Sequence, residues 1–287
     1  MEEVLCRCKI NLLLRVTGRR ADGYHTLETL FWPLTAPSDR LAVDFAAAPG
    51  IALDCGDPAL PTDRRNLVYR AAEAYAAAAG VSPTWRFRLE KRVPSAAGLG
   101  GGSADAAAAL RLLEERCGAL GRRRLYELAG QLGADVPLFI EPRPAAARGV
   151  GDELEFLPGR LPHLPLVLVN PGFPVRTEWA FRKLDETGRG ENRAALPDLL
   201  AALERGDLER IARNVGNDFG ALLMRKFPLL SLLREELRGL GALAVEVSGS
   251  GPTLFGLFAD RAAAGRAAAE LSVRRPQCFV AEAEDGL

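Results

Sequence analysis

A chain of 287 residues, 48% hydrophobic and 26% charged, is long enough for two modest cores and ordinary in composition for a globular protein. Its 37 basic and 37 acidic residues balance, so there is no global field to recruit nucleic acid or a membrane surface. No apolar run is long enough to span a bilayer and no basic-then-apolar leader opens the chain, so the expected location is cytoplasmic, with no nucleic-acid and no membrane partner.

In chain order, Cys6 to Val16 alternates. Cys8, Ile10, Leu12, Leu14 and Val16 fall on one strand face; Arg7, Lys9, Asn11 and Arg15 fall on the other, with Leu13 the exception. A turn at Ala21-Asp22-Gly23 leads through Tyr24-His25 to a second strand over 26–34. Short strands are predicted over 41–45 and 51–55. An alanine-rich helix over 66–79 ends at Gly80, and a clearly alternating strand runs over 85–93.

A glycine-rich loop follows, and then a helix over about 103–117, for which Ser103 is the predicted cap and Asp105 a dipole-compensating residue. A short helix over 125–132 closes at Gly133, and Asp135-Val136-Pro137 reads as a new helix start. Residues 142–165, rich in Pro and Gly, are predicted to hold the domain boundary. Beyond them come a buried strand over 166–169 and helices over 177–186, 195–214 (broken at Gly206) and 229–240. Two strands, 244–248 and 253–258, flank the glycine cluster Ser248-Gly249-Ser250-Gly251-Pro252. A last helix over 261–271 and a strand over 278–281 complete an α+β domain.

The five cysteines (Cys6, Cys8, Cys55, Cys117 and Cys278) show no C-x-x-C spacing, and the only histidines are His25 and His163. Small buried hydrophobes in a reducing compartment fit better than a zinc site. His163 lies in a proline-rich stretch and takes no role. Only four of the 37 basic residues are lysine (Lys9, Lys91, Lys183 and Lys226), so a lysine inside a strand draws notice.

The run Pro94-Ser95-Ala96-Ala97-Gly98-Leu99-Gly100-Gly101-Gly102-Ser103 carries the most chemistry. Glycines at four of five positions before a helix let backbone approach a ligand, and the helix start offers unpaired N–H groups to a polyphosphate. It is not a Walker loop, since Gly-Lys-Ser/Thr is missing, and it fits the Rossmann fingerprint poorly because Ser103 occupies the third glycine position. A kinase-type glycine loop would lead into a strand, whereas this one leads into a helix. Taken alone, such a run also fits a purely structural turn.

Together with Lys9-Ile10-Asn11-Leu12 before it and Ser248-Gly249-Ser250-Gly251-Pro252-Thr253 after it, in that order, the loop resembles the three motifs of the GHMP superfamily. That superfamily comprises galactokinase, homoserine kinase, mevalonate kinase and phosphomevalonate kinase. Gly18-Arg19-Arg20-Ala21-Asp22-Gly23-Tyr24-His25, the three consecutive glycines and Gly133-Ala134-Asp135-Val136-Pro137-Leu138-Phe139 resemble one branch of it. The resemblance implies a two-domain α+β fold. An N-terminal nucleotide-binding domain would occupy 1–157 and a C-terminal ferredoxin-like α/β domain 158–287, with the site in the cleft between them. It implies ATP and Mg2+ as cosubstrate and cofactor. The implied reaction is phosphorylation of the 2-hydroxyl of 4-diphosphocytidyl-2-C-methyl-D-erythritol, in the non-mevalonate route to isoprenoid precursors. The partner is then a small-molecule substrate, and the expected state is a monomer or weak homodimer. One departure is Cys8, where the family commonly carries alanine before the lysine.

Carried over residue by residue, the resemblance makes Asp135 the base that takes the substrate proton. It places Lys9 near that carboxylate, to hold it ionised and to stabilise charge on the transferring phosphoryl oxygens. On pattern alone Asp135 also fits a plain helix cap and Lys9 a solvated strand lysine. The loop from Pro94 to Ser103 would wrap the ATP phosphates, with Ser103 available to magnesium and with Asn66 and Lys91 flanking the adenine. Asn11 would place the substrate hydroxyl, and Tyr24 and His25 would read the cytosine. Phe181, aligned through Thr177, would close an aromatic sandwich on the base, though it equally fits the core of its helix. Gly249, Ser250 and Gly251 would contact the substrate diphosphate, or simply form a tight hairpin. The alternatives are a superfamily kinase with another acceptor, which the Tyr24-His25 pair argues against, and a silent nucleotide-binding relative, which the joint presence of Lys9 and Asp135 argues against.

Overall fold

The alternating N-terminal segment becomes an 18-residue strand, β1 (Glu2–Arg19), in the computed structural model, which describes residues 2–45, 48–188, 192 and 194–284. The chain divides into two compact units, neither a single continuous segment. One comprises Met1–Cys8, Ser38–Val93 and Gly100–Arg143; the other comprises Lys9–Pro37, Pro94–Leu99 and Pro144–Leu287.

The first unit contains the start of β1, the end of β2 (His25–Asp44), β3 (Gly50–Asp54) and β4 (Thr84–Glu90). β4 pairs antiparallel with β2 and parallel with β3. Trp85, Phe87 and Leu89 of β4 are buried and the intervening arginines exposed, as the alternation requires. Helices α1 (Leu67–Ala79), α2 (Gly101–Cys117) and α3 (Gly121–Leu132) pack together in this unit. Asn66 caps α1, accepting from Val68 N at 3.0 Å, and Gly80 ends it in the left-handed conformation. In α2 every residue from Ala104 to Leu110 is buried, and only a run of small side chains allows a helix to be enclosed so completely. α2 begins two residues before the predicted start. Gly100 is its cap and Ser103 caps nothing, because the glycines let the backbone turn into the helix without a side-chain cap.

Asp105 does not serve the helix dipole either. It is buried and meets Lys91 Nζ at 2.8 Å, and Lys91 also pairs with buried Asp39. Asp39 Oδ1 accepts from the backbone N of Arg92 (2.6 Å) and Val93 (2.8 Å). Burial works against the Lys91 ammonium, but the two carboxylates overcome it and its pKa is raised. Two carboxylates around one ammonium leave a surplus negative charge; burial, with Asp39 adding to it against the pull of Lys91, pushes Asp105 up to about 7. Burial next to these carboxylates also pushes the Cys6 thiol up, so it is an inert core residue.

The second unit contains the remainder of β1 and β2, the antiparallel hairpin β5 (Ala145–Arg148)–β6 (Glu153–Phe156), and a two-residue bridge, β8 (Gly216–Asn217), parallel to β1. Part of the stretch expected to be linker is thus sheet: β5 pairs with Thr29–Phe31 of β2 through three alanines, small enough to be fully buried there. The strands predicted over 26–34 and 41–45 are one continuous strand, because Pro33 and Pro37 occupy extended backbone within β2. The second sheet has the antiparallel order β11 (Phe279–Ala283)–β7 (Leu166–Asn170)–β10 (Leu254–Leu257)–β9 (Ala244–Val247). With α4 (Thr177–Thr187), α5 (Leu196–Arg205), α6 (Leu208–Asn214), α7 (Gly220–Lys226) and α8 (Pro228–Gly239) between β7 and β9, and α9 (Arg261–Arg274) between β10 and β11, this is a ferredoxin-like arrangement. The sequence does not announce α7, whose seven residues are too few to show a helical period.

Removing the shared ammonium in Lys91→Met leaves two buried carboxylates facing each other and should destabilise the protein by about 3 kcal/mol in denaturant titration. The folded chain holds the Asp105 proton up to about pH 7, while the unfolded chain releases it near 3.8, so this group lowers stability as pH rises through that window. Asp105→Asn should flatten the melting temperature between about pH 4 and pH 7. An unchanged slope would show Asp105 ionised throughout.

Candidate active site

In the second unit both faces of β1 are buried from Lys9 to Leu14, so Lys9 (3% exposed) and Asn11 (1%) lie in the interior and not on a solvated face. They share a strand face, and Lys9 Nζ donates to Asn11 Oδ1 at 2.7 Å. Asn11 Nδ2 donates to Thr29 Oγ1 (2.8 Å), and that hydroxyl donates to the Leu13 carbonyl (2.6 Å). Lys9 Nζ also donates to the Gly98 carbonyl at 3.2 Å and lies 5.3 Å from the centre of the Phe31 ring. Two neutral oxygens and an aromatic face therefore aim the ammonium.

The Gly98 carbonyl also accepts from Ser248 Oγ at 2.8 Å. Gly98 has φ +79°, and a Cβ there would sit 2.1 Å from the Ser248 carbonyl oxygen, so neither its conformation nor its surroundings admit a side chain. Ala96, at φ 49°, is strained; among the described residues it is the non-glycine with positive φ, and it lies in this same loop. The second glycine cluster is held from several sides. Gly251 N donates to the Ser248 carbonyl (2.9 Å), Thr253 N to the Ala97 carbonyl (3.3 Å), and Thr177 Oγ1 pairs with Ser250 Oγ at 2.9 Å.

Thr177, Phe181 and Asp185 recur every four residues and form one stripe of α4. The Phe181 ring stacks on His25 with centroids 4.6 Å apart and meets Phe219 edge-on at 4.9 Å. His25 Nε2 lies 2.8 Å from Asp185 Oδ1, and Arg19 pairs with the other oxygen at 3.3 Å. Tyr24 is 67% exposed.

In the first unit, α2 continues the loop with Gly100 in the left-handed conformation, no side-chain cap and no acidic residue in the first turn. Its leading N–H groups are left to solvent or an anion. Asn66 and Lys91, both expected near adenine, have their polar groups engaged: Asn66 in the α1 cap and the Pro61 carbonyl (2.9 Å), Lys91 in the two carboxylates. Asp135 is half-buried in a series of turns between α3 and a single 3-10 turn, Pro137–Phe139. The cap position falls on Val136, so Asp135 is not the helix cap that pattern alone allowed.

Two family models match the chain, GHMP kinases N terminal domain over residues 66–141 and GHMP kinases C terminal over 199–274. The 4-diphosphocytidyl-2-C-methyl-D-erythritol kinase of Syntrophotalea carbinolica is 39% identical over 96% of this chain and 95% of its own. That of Pelotomaculum thermopropionicum is 43% identical over 92% of each. The chain belongs to the 4-diphosphocytidyl-2-C-methyl-D-erythritol kinase family of GHMP kinases. A crystal structure of 4-(cytidine 5'-diphospho)-2C-methyl-D-erythritol kinase, 39% identical, superposes with a TM-score of 0.83 over 98% of both chains.

Within this kinase fold, the second unit brings together Lys9, Asn11, Gly98 and the Gly249–Gly251 cluster, and separately His25 with Phe181. Four residues of these clusters lie outside every residue singled out from the sequence as a site candidate: Thr29, Asp185, Asn217 and Ser248. Asp185 has a local signal in its four-residue spacing from Phe181, and Ser248 in opening the second glycine cluster. Thr29 reaches partners 18 and 16 residues away, and the Asn217 amide reaches carbonyls 30 and 32 residues on.

Gly98→Ala should lose about 1–2 kcal/mol from left-handed strain alone, before the backbone overlap is counted. Gly118→Ala is the control: it has a similar φ of +60° and nothing within 4 Å of a new Cβ. Both melting temperature and turnover should fall much further for Gly98. Equal losses would show that the close approach to Ser248 is not needed.

Proposed function

We infer that this kinase transfers the γ-phosphoryl group of ATP to the 2-hydroxyl of 4-diphosphocytidyl-2-C-methyl-D-erythritol. The observation that carries the reading is the buried Lys9 ammonium, aimed by Asn11 and by the carbonyl of the glycine loop. An ammonium fixed in direction within the interior is a ready site for charge that develops on phosphoryl oxygens, and it needs no reorganisation during the reaction. The loop from Pro94 to Ser103 and the uncapped start of α2 supply backbone N–H groups to the ATP phosphates. Magnesium enters as the ion carried on those phosphates, with the Ser103 hydroxyl as the loop side chain able to ligate it.

In this reading Asp135 accepts the proton of the substrate hydroxyl as the new O–P bond forms and the bond from the γ-phosphorus to the β,γ-bridging oxygen breaks. ADP is the leaving group. Asn11 places the hydroxyl. Asp185 fixes the His25 ring, whose other edge reads the cytosine, and Tyr24 offers a stacking face. Phe181 buttresses His25 by stacking on it and, opposite Tyr24, closes the aromatic sandwich on the base. Ser250, held by Thr177, and its flanking glycines contact the substrate diphosphate.

Coupled ADP release with the cytidylylated methylerythritol, set against mevalonate and homoserine, tests the acceptor. Release with either control at a comparable rate would refute it. Asp135→Asn should retain nucleotide binding and lose at least about a hundredfold in kcat; near-normal turnover would remove Asp135 as base. His25→Ala should raise KM for the cytidylylated substrate well above any change in KM for ATP, and equal changes would sink its role as base reader.

A further inference from the structure

A buried asparagine far from every motif holds the second glycine cluster in place. Asn217 and Asp218 form the end of the short segment that runs beside β1, and both are 5% exposed. Asp218 N donates to the Leu14 carbonyl at 3.0 Å, and Asp218 Oδ2 accepts from Val16 N at 2.7 Å, so the segment is pinned to the strand that carries Lys9 and Asn11. Asn217 then reaches the other way. Its Nδ2 donates to the carbonyls of Val247 (2.7 Å) and Gly249 (2.8 Å), and its Oδ1 accepts from Phe219 N (2.9 Å). Both amide protons and the oxygen are engaged, as a buried amide requires.

What those bonds fix is a close approach of the turn to the glycine loop. Gly249, at φ +56°, passes so near that a Cβ on it would lie 3.0 Å from the Gly98 carbonyl oxygen and 3.4 Å from Lys9 Nζ. The adjacent Ser248 hydroxyl donates to the same Gly98 carbonyl that accepts from Lys9. A shift of the turn would displace Ser248 Oγ, the Gly98 carbonyl and the Lys9 ammonium together.

We propose that Asn217 is a positioning residue for phosphoryl transfer: it ties β1 to the Ser248–Gly251 turn and thereby sets the direction of the Lys9 ammonium through the Gly98 carbonyl. It touches no reacting atom. Its effect on turnover rests on the kinase reading above, whereas its effect on the turn does not.

Asn217→Asp is the sharpest test. It preserves shape and the acceptor for Phe219 N, and it turns the amide donor into an oxygen facing two carbonyls. With the folded variant, kcat should fall at least about tenfold while KM for ATP stays within about twofold, the pattern of lost positioning. Amide exchange at Ser248, Gly251 and Thr253, whose N–H groups close the turn, should quicken relative to the rest of the β9–β10 hairpin. Lowering the pH should recover part of kcat as the new carboxyl is protonated and can donate to one carbonyl. Ser248→Ala, which cuts only the link from the turn to Gly98, should lower kcat in the same sense and covers the case in which Asn217→Asp does not fold. Unchanged exchange at the three amides, or a lowered melting temperature with wild-type kcat, would overturn the proposal. Wild-type protein inactive on the cytidylylated substrate would instead refute the functional reading, and the exchange measurement would still decide the role of Asn217.

Discussion

The Gly98 carbonyl oxygen accepts from the Lys9 ammonium and the Ser248 hydroxyl at once, and it is the point through which three distant stretches of chain constrain one another. A carbonyl can serve two donors only if both reach it, and the space around it is what demands glycine at 98 and 249. Phosphate binding alone would require exposed N–H groups and permissive backbone. It would not require a Cα against the Ser248 carbonyl. The glycines of this protein therefore differ in what they make possible. Gly98 and Gly249 allow close approach of one backbone to another, while Gly100 turns the chain into α2.

Charge is buried in two different ways. Lys9 donates to two neutral oxygens and faces the ring of Phe31, contacts that help aim its charge. Lys91 is locked between Asp39 and Asp105, where the carboxylates exceed the ammonium by one charge. The second arrangement suits anchoring: Asp39 takes two backbone N–H groups just before the loop and Asp105 lies in α2 just after it. Two of the four lysines in the chain thus sit near the glycine loop, Lys9 in space through the Gly98 carbonyl and Lys91 in sequence, where its carboxylate partners hold the backbone on either side.

What is legible in the chain follows from the range of each interaction. Period-two alternation locates β1 and β4, and glycine ends locate α1 and α3, because those signals are local. The three spaced motifs are enough for the family. Residues that act across the fold leave no local trace: Asn217 next to Asp218 looks like any polar pair before an apolar run, yet the carbonyls its amide donates to lie 30 and 32 residues on. The Pro/Gly-rich stretch over 142–165 hides β5 and β6 for a related reason. Proline and glycine report local backbone preference, and the sheet pairing of β2 with β5 overrides it. The resemblance places Lys91 by the adenine, and its two carboxylate partners, 52 and 14 residues away, leave no trace in the sequence.

The aromatic cluster shows how the same stripe of α4 can join stability to recognition. Phe181 buries its edge against Phe219 in the core and turns a face to His25, which is fixed at its Nε2 side by Asp185. Orienting one imidazole by a stack and a carboxylate removes most of the freedom a base would otherwise have to freeze on binding. Tyr24 beside it is 67% exposed, so within the pair the packing holds His25 and leaves Tyr24 at the surface.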